Sequence, residues 1–584
     1  MNMHRHGPWW GAALGVAMAG LGGCASTAPA AGTGATTMFT ATRTTEHRNS
    51  DDLLTGGLGL DGLRAMAPPA FANPTQPTDE ERRRRALWIN WRGIADLGPL
   101  GGYGTLYGST AAVPGREFSA DARIDGANAS HRVLVQVPDA FDAAKRCVVV
   151  TASSGSRGIY GAIAVAGAWG LPKGCAVAYT DKGAGTDYVD HGAAGVEVKH
   201  AHSKDNPEAD WGRHVKQAAQ FALQSLTQAF PDQAPFAWDN TRVIAVGISN
   251  GGGAVLRAAE LEGDWLDAVV AGEPNIDAAG GRALYDYTTE AALLMPCALL
   301  DFDDLPQSPL TTAGRAVGAL RCASLAQAGA LSGADAKAQA KDARAKLQAS
   351  GWTDAAMHAA ALSVDFDLYR AVAVTYASAY GRYGFGEHPC GFGFAAQNKD
   401  FTPRAATPEE QAAWWSDASG IPPGAGVGII DSRMAPPDLL LPGEQCLRAL
   451  WDGQGADAER VRKGVAALRA KAPRKGLPVV VVHGLDDGLI PAAFSSAPYV
   501  AMAKAAGADV RYWQVRNAQH FDGFLALPDY GARYVPLLPY VYAALDGVAA
   551  HLDDPKRALP ADAVIESVAR GKEALGEDHL AIPR

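Results

Sequence analysis

The feature that most restricts the fold of this chain is an alternation of short apolar runs with amphipathic stretches between residues 130 and 272. The runs from Cys147 onward are almost continuously apolar, which is typical of parallel strands covered on both faces. The stretches 209–230 and 251–261 between them have helical spacing. We therefore predict a doubly wound α/β sheet. The predicted strands in this part are 131–137, 147–152, 175–180, 242–247 and 266–272.

A long interruption separates these strands from the next apolar run, 477–483. The 204 residues between them (273–476) are too many for a surface loop, and they contain alanine-rich helical segments such as 334–349 and 457–472. We expect a mainly helical cap inserted into the sheet. The core would then comprise 47–272 and 477–584. Its second part contains the strands 477–483 and 509–515 and a helix at 540–551.

The first 24 residues have the pattern of an export signal. A short, weakly basic start is followed by an apolar run over 9–23, which is too short and too rich in glycine for a good membrane span. The run ends in Leu-Gly-Gly-Cys, which resembles a bacterial lipoprotein box with Cys24 as the lipidated residue. An ordinary signal peptide cut near residues 25–31 is the alternative. Both predict an exported protein, secreted or periplasmic, and lipidation would anchor it to the outer membrane. Residues 25–46 are expected to form a flexible tether.

Net charge and cysteine content restrict the classes of partner that the protein can bind and the compartment in which it can fold. The formal net charge of −10 disfavours nucleic acid and anionic lipid as partners. Besides Cys24 there are six cysteines, and in an oxidising compartment they could form up to three disulfides, with 15 full pairings open. Cys147 with Cys175, and Cys297 with Cys322, are plausible pairs. Zinc-type spacing is absent, and we expect neither a metal nor an organic cofactor.

The segment Gly-Ile-Ser-Asn-Gly at 247–251 matches the G-x-S-x-G nucleophile elbow. The pattern alone is weak, but here it follows a predicted strand and opens a predicted helix. The sharp turn would hold Ser249 in a strained conformation at the start of that helix. We therefore predict Ser249 as a catalytic nucleophile; a helix-capping serine is the alternative.

The partners of such a serine follow it in the order acid, then histidine. The turn H-G-L-D-D-G-L-I-P at 483–491 follows a predicted strand and places the acid at Asp487, with Asp486 as a rival. His520 lies beyond the next strand, where the general base is expected. Glu273, after the strand that follows the elbow, is an alternative acid. All three predicted triad residues then lie at the carboxyl ends of strands, where α/β folds place their sites.

An oxyanion site should accompany this arrangement. One donor is expected to be the backbone N–H of Asn250, the residue after the nucleophile. The second should come from the loop after strand 147–152, and Gly155 and Ser156 are the candidates. The histidines at 191, 200, 202 and 214 could suggest a metal, but without suitable carboxylate spacing we expect solvated side chains.

The chain resembles the D-(-)-3-hydroxybutyrate oligomer hydrolase family, bacterial enzymes that act downstream of poly(3-hydroxybutyrate) depolymerases. The resemblance rests on HRNSDDLLTGGLGL at 47–60, ASSGSRGIYG at 152–161 and GISNGG at 247–252. It implies an α/β-hydrolase fold, Ser249 as the charge-relay serine, and hydrolysis of 3-hydroxybutyrate dimers and oligomers to the monomer acid.

Such a substrate is short, apolar along its backbone and ends in a carboxylate, so a deep pocket under a cap would suit it. Arg157, beside the predicted oxyanion loop, is a candidate for binding that carboxylate; a surface arginine is the alternative. Another exported esterase, for feruloyl or tannin esters, and a peptidase remain open. So does a non-catalytic lipoprotein that serves as a binding module.

Overall fold

The centre of the molecule is a ten-stranded sheet, seen in a computed structural model that describes residues 38–416 and 426–583. The predicted signal segment, including Cys24, lies outside the described residues, as do residues 25–37 of the predicted tether. The strands of the described residues are β1 (Phe39–His47), β2 (Gly115–Ala122), β3 (His131–Pro138), β4 (Cys147–Ala152), β5 (Ala176–Thr180), β6 (Tyr188–Asp190), β7 (Val196–Val198), β8 (Arg242–Ile248), β9 (Ala268–Gly272), β10 (Phe392–Gln397), β11 (Pro403–Arg404), β12 (Val427–Asp431), β13 (Val479–Gly484), β14 (Val510–Val515) and β15 (Ala563–Ile565).

The order of the main sheet is β1-β2-β3-β5-β4-β8-β9-β13-β14-β15. The pairs from β1 to β5 are antiparallel, and every pair from β5 to β15 is parallel. The parallel strands β4, β5, β9 and β13 are buried along their whole length. Each of the seven predicted strands is present within two residues of its predicted bounds. The predicted α/β-hydrolase fold is confirmed.

Helices cover both faces of this sheet. The helices before β9 are α1 (Gly59–Arg64), α2 (Asp79–Arg92), α3 (Ala168–Gly170), α4 (Lys199–His202), α5 (Trp211–Ala229) and α6 (Asn250–Ala258). Val215, Ala219 and Ala222 lie on one stripe of α5 and pack with Val148 and Val150 of β4. Val149 points to the opposite face, where the core also includes residues of a later helix, 538–553. This two-sided burial explains why the parallel strands are almost continuously apolar.

The residues between β9 and β13 leave the sheet and build a mainly helical layer. Its helices are α7 (Leu284–Ala298), α8 (Thr311–Gln327), α9 (Ala336–Ala349), α10 (Asp354–Ala359), α11 (Ala361–Asp365), α12 (Leu368–Gly381), α13 (Pro408–Trp414), α14 (Leu441–Asp452) and α15 (Ala456–Ala466). A small antiparallel sheet, β11-β10-β12, accompanies them. We call residues 273–476 the cap. We call the other described residues, 38–272 and 477–583, the main domain. The apolar core of the cap reaches Leu489, Ile490 and Phe494 of the main domain.

The chain returns to the sheet after the cap. The remaining helices are α16 (Ser496–Ala505), α17 (Pro528–Arg533), α18 (Leu538–Asp553) and α19 (Glu577–Leu580). In the part of the chain that the structure describes, no helix combines the length and the apolar character that crossing a membrane requires.

The expectation of a flexible tether up to residue 46 is wrong for residues 39–46. They belong to β1, which pairs antiparallel with β2 and places Thr44 opposite Phe118. Most side chains of β1 are exposed, so the strand lacks the apolar alternation that identifies a buried strand. Backbone hydrogen bonds to β2 hold the strand instead. Phe39 adds an aromatic contact, with its ring centroid 4.9 Å from that of Phe221.

Three disulfides occur among the described residues. Cys147–Cys175 and Cys297–Cys322 confirm the two pairs that the sequence made plausible. The third, Cys390–Cys446, joins two segments of the cap. Cys147 opens β4 and Cys175 precedes its parallel neighbour β5, so the first bridge ties adjacent strand starts together.

Candidate active site

Ser249 lies at the turn between β8 and α6 with a backbone φ of +55° and ψ of −124°. This conformation is strained for a residue with a side chain. The surrounding backbone holds it there: the N–H of Ser249 donates to the carbonyl of Gly272 over 3.0 Å, and its carbonyl accepts the N–H of Asn275 over 2.9 Å. The turn therefore has the geometry of the predicted nucleophile elbow.

Two glycines make this turn possible. A Cβ atom on Gly247 would lie 2.3 Å from the carbonyl oxygen of Gly251, and one on Gly251 would lie 2.4 Å from the carbonyl oxygen of Ala152. Strand and helix thus approach too closely for any larger residue. The small residues of the motif serve the close packing of β8, α6 and β4.

The structure brings Ser249, His520 and Asp487 into one hydrogen-bonded chain. Nε2 of His520 lies 3.0 Å from Oγ of Ser249, and Nδ1 of His520 lies 2.7 Å from Oδ2 of Asp487. The three residues follow β8, β14 and β13, whose carboxyl ends share one edge of the sheet. A neutral imidazole in this chain donates from Nδ1 to the carboxylate and accepts the serine hydroxyl at Nε2.

Asp487 is fully buried, yet its charge is well compensated. Its Oδ1 accepts the N–H groups of Leu489 (2.9 Å) and Ile490 (2.7 Å), and its Oδ2 also lies 3.2 Å from Nε2 of His483. Burial alone would raise the pKa of Asp487, but the charge of His520 and the hydrogen bonds from both histidines outweigh it. The pKa is held below its ordinary value. The carboxyl group is ionised at neutral pH.

Neither alternative acid occupies this position. Asp486 precedes Asp487 on the same turn, and burial raises its pKa to about 6. Glu273 is buried beside the site, and its Oε2 has no hydrogen-bond partner within residues 38–416 and 426–583. Burial, with the charges of Asp522 and Asp487, raises the pKa of Glu273 well above its ordinary value. Nδ1 of His520 is bonded to Asp487 and to neither of these two acids.

The predicted oxyanion residues lie on both sides of the serine. Asn250 opens α6 directly after Ser249, so its N–H belongs to the unpaired first turn of the helix. Gly155 has a φ of +51° and lines the cavity over Ser249 together with Ser154. Ser156 is fully buried, and its hydroxyl is turned to His200, 2.6 Å from Nδ1.

A cavity opens over Ser249 and His520 between the main domain and the cap. The cap contributes Leu284, Leu368, Val372 and Tyr376, so the walls are largely apolar. Arg157 lines the same cavity, and its Nη2 donates to the carbonyl of Gly93 over 3.1 Å. The cavity thus combines an apolar wall, a guanidinium and the predicted nucleophile.

The expectation of solvated histidines is wrong for three of the four. His200, His202 and His214 are buried; His202 accepts the N–H of Val198 at Nδ1, and the ring of His214 packs edge-on against that of His131. His191 remains partly exposed beside Glu197. Burial here comes from the packing of α4 and α5, which a polar local sequence does not reveal.

Sequence reasoning missed several residues around the site. His483 supports Asp487 from four residues upstream, and its place in the turn motif could have indicated this. Tyr376, on α12 of the cap, accepts a hydrogen bond from Nδ2 of Asn250 over 2.5 Å. His200, Glu208 and Lys182 lie behind the predicted oxyanion loop, residues 153–158. For these contacts no local pattern exists, because the partners are far apart in the chain.

Comparisons with known proteins show which family the chain resembles. A family model described as 3HB-oligomer hydrolase matches residues 18–197 and 186–582. The D-(-)-3-hydroxybutyrate oligomer hydrolase of Paracidovorax citrulli is 37% identical, covering 89% of this chain and 87% of the relative. That of Burkholderia cenocepacia is 36% identical and covers 96% and 93%.

Among solved structures, feruloyl esterase B from Aspergillus oryzae is similar with a TM-score of 0.39 and 12% sequence identity, covering 84% of this chain and 88% of that one. The two long matches of the family model, together with the extended similarity to its members, decide the assignment. The chain belongs to the 3HB-oligomer hydrolase family and is an ester-hydrolysing enzyme.

Proposed function

We propose that this enzyme hydrolyses the ester bonds of 3-hydroxybutyrate dimers and oligomers and releases 3-hydroxybutyrate, with Ser249 as its nucleophile. The observation that carries the proposal is the hydrogen-bonded chain Ser249–His520–Asp487, whose serine and histidine line the cavity. The family relationship supports the substrate class, because the relatives are named as oligomer hydrolases of this acid.

In the first half-reaction, Oγ of Ser249 attacks the ester carbonyl carbon while Nε2 of His520 takes its proton. The tetrahedral intermediate collapses, the bond to the leaving alcohol oxygen breaks, and His520 returns the proton to that oxygen. The acyl group remains on Ser249. Asp487 keeps Nδ1 of His520 protonated and stabilises the imidazolium through its negative charge.

The second half-reaction repeats these roles with water. His520 takes a proton from a water molecule, which attacks the acyl carbon, and the proton then returns to Oγ of Ser249 as the acid product leaves. In both halves the carbonyl oxygen becomes negative. The N–H of Asn250 and an N–H of the Gly155–Ser156 segment are the proposed donors to it.

Arg157 is the proposed partner of the terminal carboxylate of the substrate. It lines the cavity with Ser249, and the guanidinium geometry suits a carboxylate. The neighbouring cap side chains Leu368 and Val372 offer an apolar surface to the methyl-bearing backbone of an oligoester. Glu273 and Asp522 also line the cavity, and burial raises the pKa of both carboxyl groups, which favours their neutral forms. A short acid substrate fits this combination of one cation and largely apolar walls.

The deciding experiment is product analysis with purified 3-hydroxybutyrate dimer and trimer. Wild type should release the monomer, and Ser249→Ala should be slower by at least about 10⁴-fold, since the nucleophile is lost. Methyl ferulate, a tannin-type gallate ester and a short peptide serve as competing substrates. Faster hydrolysis of any of these than of the trimer would overturn the proposed substrate. Failure of a fluorophosphonate to label Ser249 would favour a non-catalytic binding module.

We also propose that the enzyme is exported and carries lipid on Cys24. Three disulfides among the described residues support an oxidising compartment. Labelling with radioactive palmitate in the native host tests the anchor. Wild type should retain the label in the outer membrane fraction, whereas Cys24→Ala should be unlabelled. If the wild type is not labelled, lipidation of Cys24 is refuted and the segment is an ordinary signal peptide.

A further inference from the structure

A second chain of hydrogen-bonded side chains lies behind the oxyanion loop, residues 153–158. Oγ of Ser156 is 2.6 Å from Nδ1 of His200, and Nε2 of His200 is 2.5 Å from Oε1 of Glu208. All three residues are at most 3% exposed. When Nε2 of His200 donates to the carboxyl oxygen of Glu208, Nδ1 is left to accept the hydroxyl of Ser156. Because Ser156 is fully buried, this chain cannot present a nucleophile to substrate.

Lys182 holds the same loop from a second direction. Its Nζ donates to Oγ of Ser153 over 2.9 Å and to the carbonyl of Gly155 over 2.5 Å. In a trans peptide the N–H of the next residue points opposite to the carbonyl. By binding the carbonyl of Gly155, Lys182 therefore also fixes the direction of the N–H of Ser156. His200 thus holds the side chain of Ser156, and Lys182 holds its backbone N–H direction.

The two sides of the oxyanion site are connected through the cap. The ring of Tyr376 packs edge-on against His200 with centroids 4.9 Å apart, and its hydroxyl accepts a hydrogen bond from the side chain of Asn250. Tyr376 of the cap therefore contacts both sides of the oxyanion site. It touches Asn250, which supplies the first proposed donor, and His200, which holds the loop that supplies the second.

We propose that His200, Glu208 and Lys182 are positioning residues, which act through Ser153, Gly155 and Ser156 to hold the oxyanion loop in its catalytic conformation. The proposal rests on the proposed function of Ser249 and on the oxyanion role of this loop. Burying polar and charged groups costs desolvation free energy, and apolar replacements often stabilise a protein equally well. The buried polar groups are explained here by the need to orient the loop, since oxyanion donors stabilise a transition state only when their positions are set before the reaction.

The test compares the same substitution at two buried histidines of α4. His200→Gln breaks the chain, while His202→Gln is the matched control, because the side chain of His202 bonds to Val198 and not to the loop. Each variant is assayed with p-nitrophenyl butyrate, so the result does not depend on the natural substrate. We expect kcat of His200→Gln to fall about 10- to 100-fold with KM within about threefold, part of what one oxyanion donor contributes. His202→Gln should keep wild-type kcat.

A transition-state analogue separates positioning from general damage. A trifluoromethyl ketone adds to Ser249 and places an anionic oxygen in the oxyanion site, so its Ki should rise by the same factor as kcat falls. Glu208→Gln, which keeps a hydrogen-bond acceptor for His200, should recover most of the activity lost in Glu208→Leu. Lys182→Met should reproduce the kcat and Ki effects of His200→Gln.

The proposal is overturned if His200→Gln and Lys182→Met keep wild-type kcat and Ki. It is also overturned if the Ki of the ketone stays constant while kcat falls, or if His202→Gln loses as much activity as His200→Gln. A wild-type enzyme that hydrolyses p-nitrophenyl butyrate but not the trimer would refute the proposed substrate and leave this test intact. A wild type that the ketone does not inhibit would refute the role of Ser249 itself.

Discussion

His520 and Asp487 are joined by a hydrogen bond of 2.7 Å between Nδ1 and Oδ2, inside a site where the carboxylate is fully buried. Two backbone N–H groups and His483 hold the carboxylate from the other sides. The carboxylate can therefore take one orientation only, and the imidazole follows it. This contact leaves Nε2 of His520 facing Ser249, although the serine lies 271 positions away in the chain.

Asp487→Asn should lower kcat by about 10⁴-fold, because a carboxamide stabilises the wrong imidazole tautomer and offers no charge to the imidazolium. KM should change little, since the acid does not line the cavity. Steady-state kinetics on the trimer and on p-nitrophenyl butyrate measure both constants. Asp486→Asn and Glu273→Gln are the controls, and a loss above about 100-fold in either would contradict the assignment of the acid.

Arg157→Ala should raise KM for 3-hydroxybutyrate trimer by about 10- to 100-fold, which is the range of a lost charge-assisted hydrogen bond. The KM of p-nitrophenyl butyrate, which has no carboxylate, should stay within about threefold. The methyl ester of the trimer is a second neutral comparison, with the same length and shape. Equal effects on charged and neutral substrates would show that the arginine only supports the loop.

Replacing both Cys390 and Cys446 by alanine should lower the free energy of unfolding by about 4 kcal/mol, since this bridge closes a loop with a sequence separation of 56. The bridge lies within the cap, so we expect the cap to lose protection first. Urea unfolding gives the total change, and hydrogen exchange locates it. The pair Cys297–Cys322, with a separation of 25, should give a smaller loss of about 3.5 kcal/mol; the reverse order would contradict this expectation.

Lys182 should make the stability depend on pH. Burial lowers the pKa of Lys182 to about 7, against the opposing charges of Glu208 and Asp181. Between pH 7 and about 10 the unfolded chain then binds more protons at this lysine than the folded protein. Stability should therefore rise with pH in this window, and below pH 7 the cost of burying the charge is fully present.

The measurement is urea unfolding of wild type and Lys182→Met from pH 6 to pH 9. The difference between them should be constant below pH 7 and then shift in favour of wild type by about 1.4 kcal/mol per pH unit. Parallel curves across the whole range would show that the folded-state pKa of Lys182 lies outside this window.

The sequence by itself determined the parts of this protein that depend on neighbours along the chain. Residues 147–152 and 479–484 are buried throughout because helices cover both faces of their strands, and that burial is visible in their mostly apolar composition. The juxtaposition of Ser249, Asp487 and His520 was predictable because each stands in a local turn that requires small or polar residues at given positions.

The tertiary structure alone decided the features that depend on segments distant in sequence. Backbone pairing makes β1 a strand although its side chains are mostly exposed, and such pairing leaves no pattern in composition. The contact between Ser156 and His200 spans 44 positions, and that between Asn250 and Tyr376 joins the main domain to the cap over 126. A hydrogen bond between side chains depends on distance and direction in space, and these arise only when separate segments pack together.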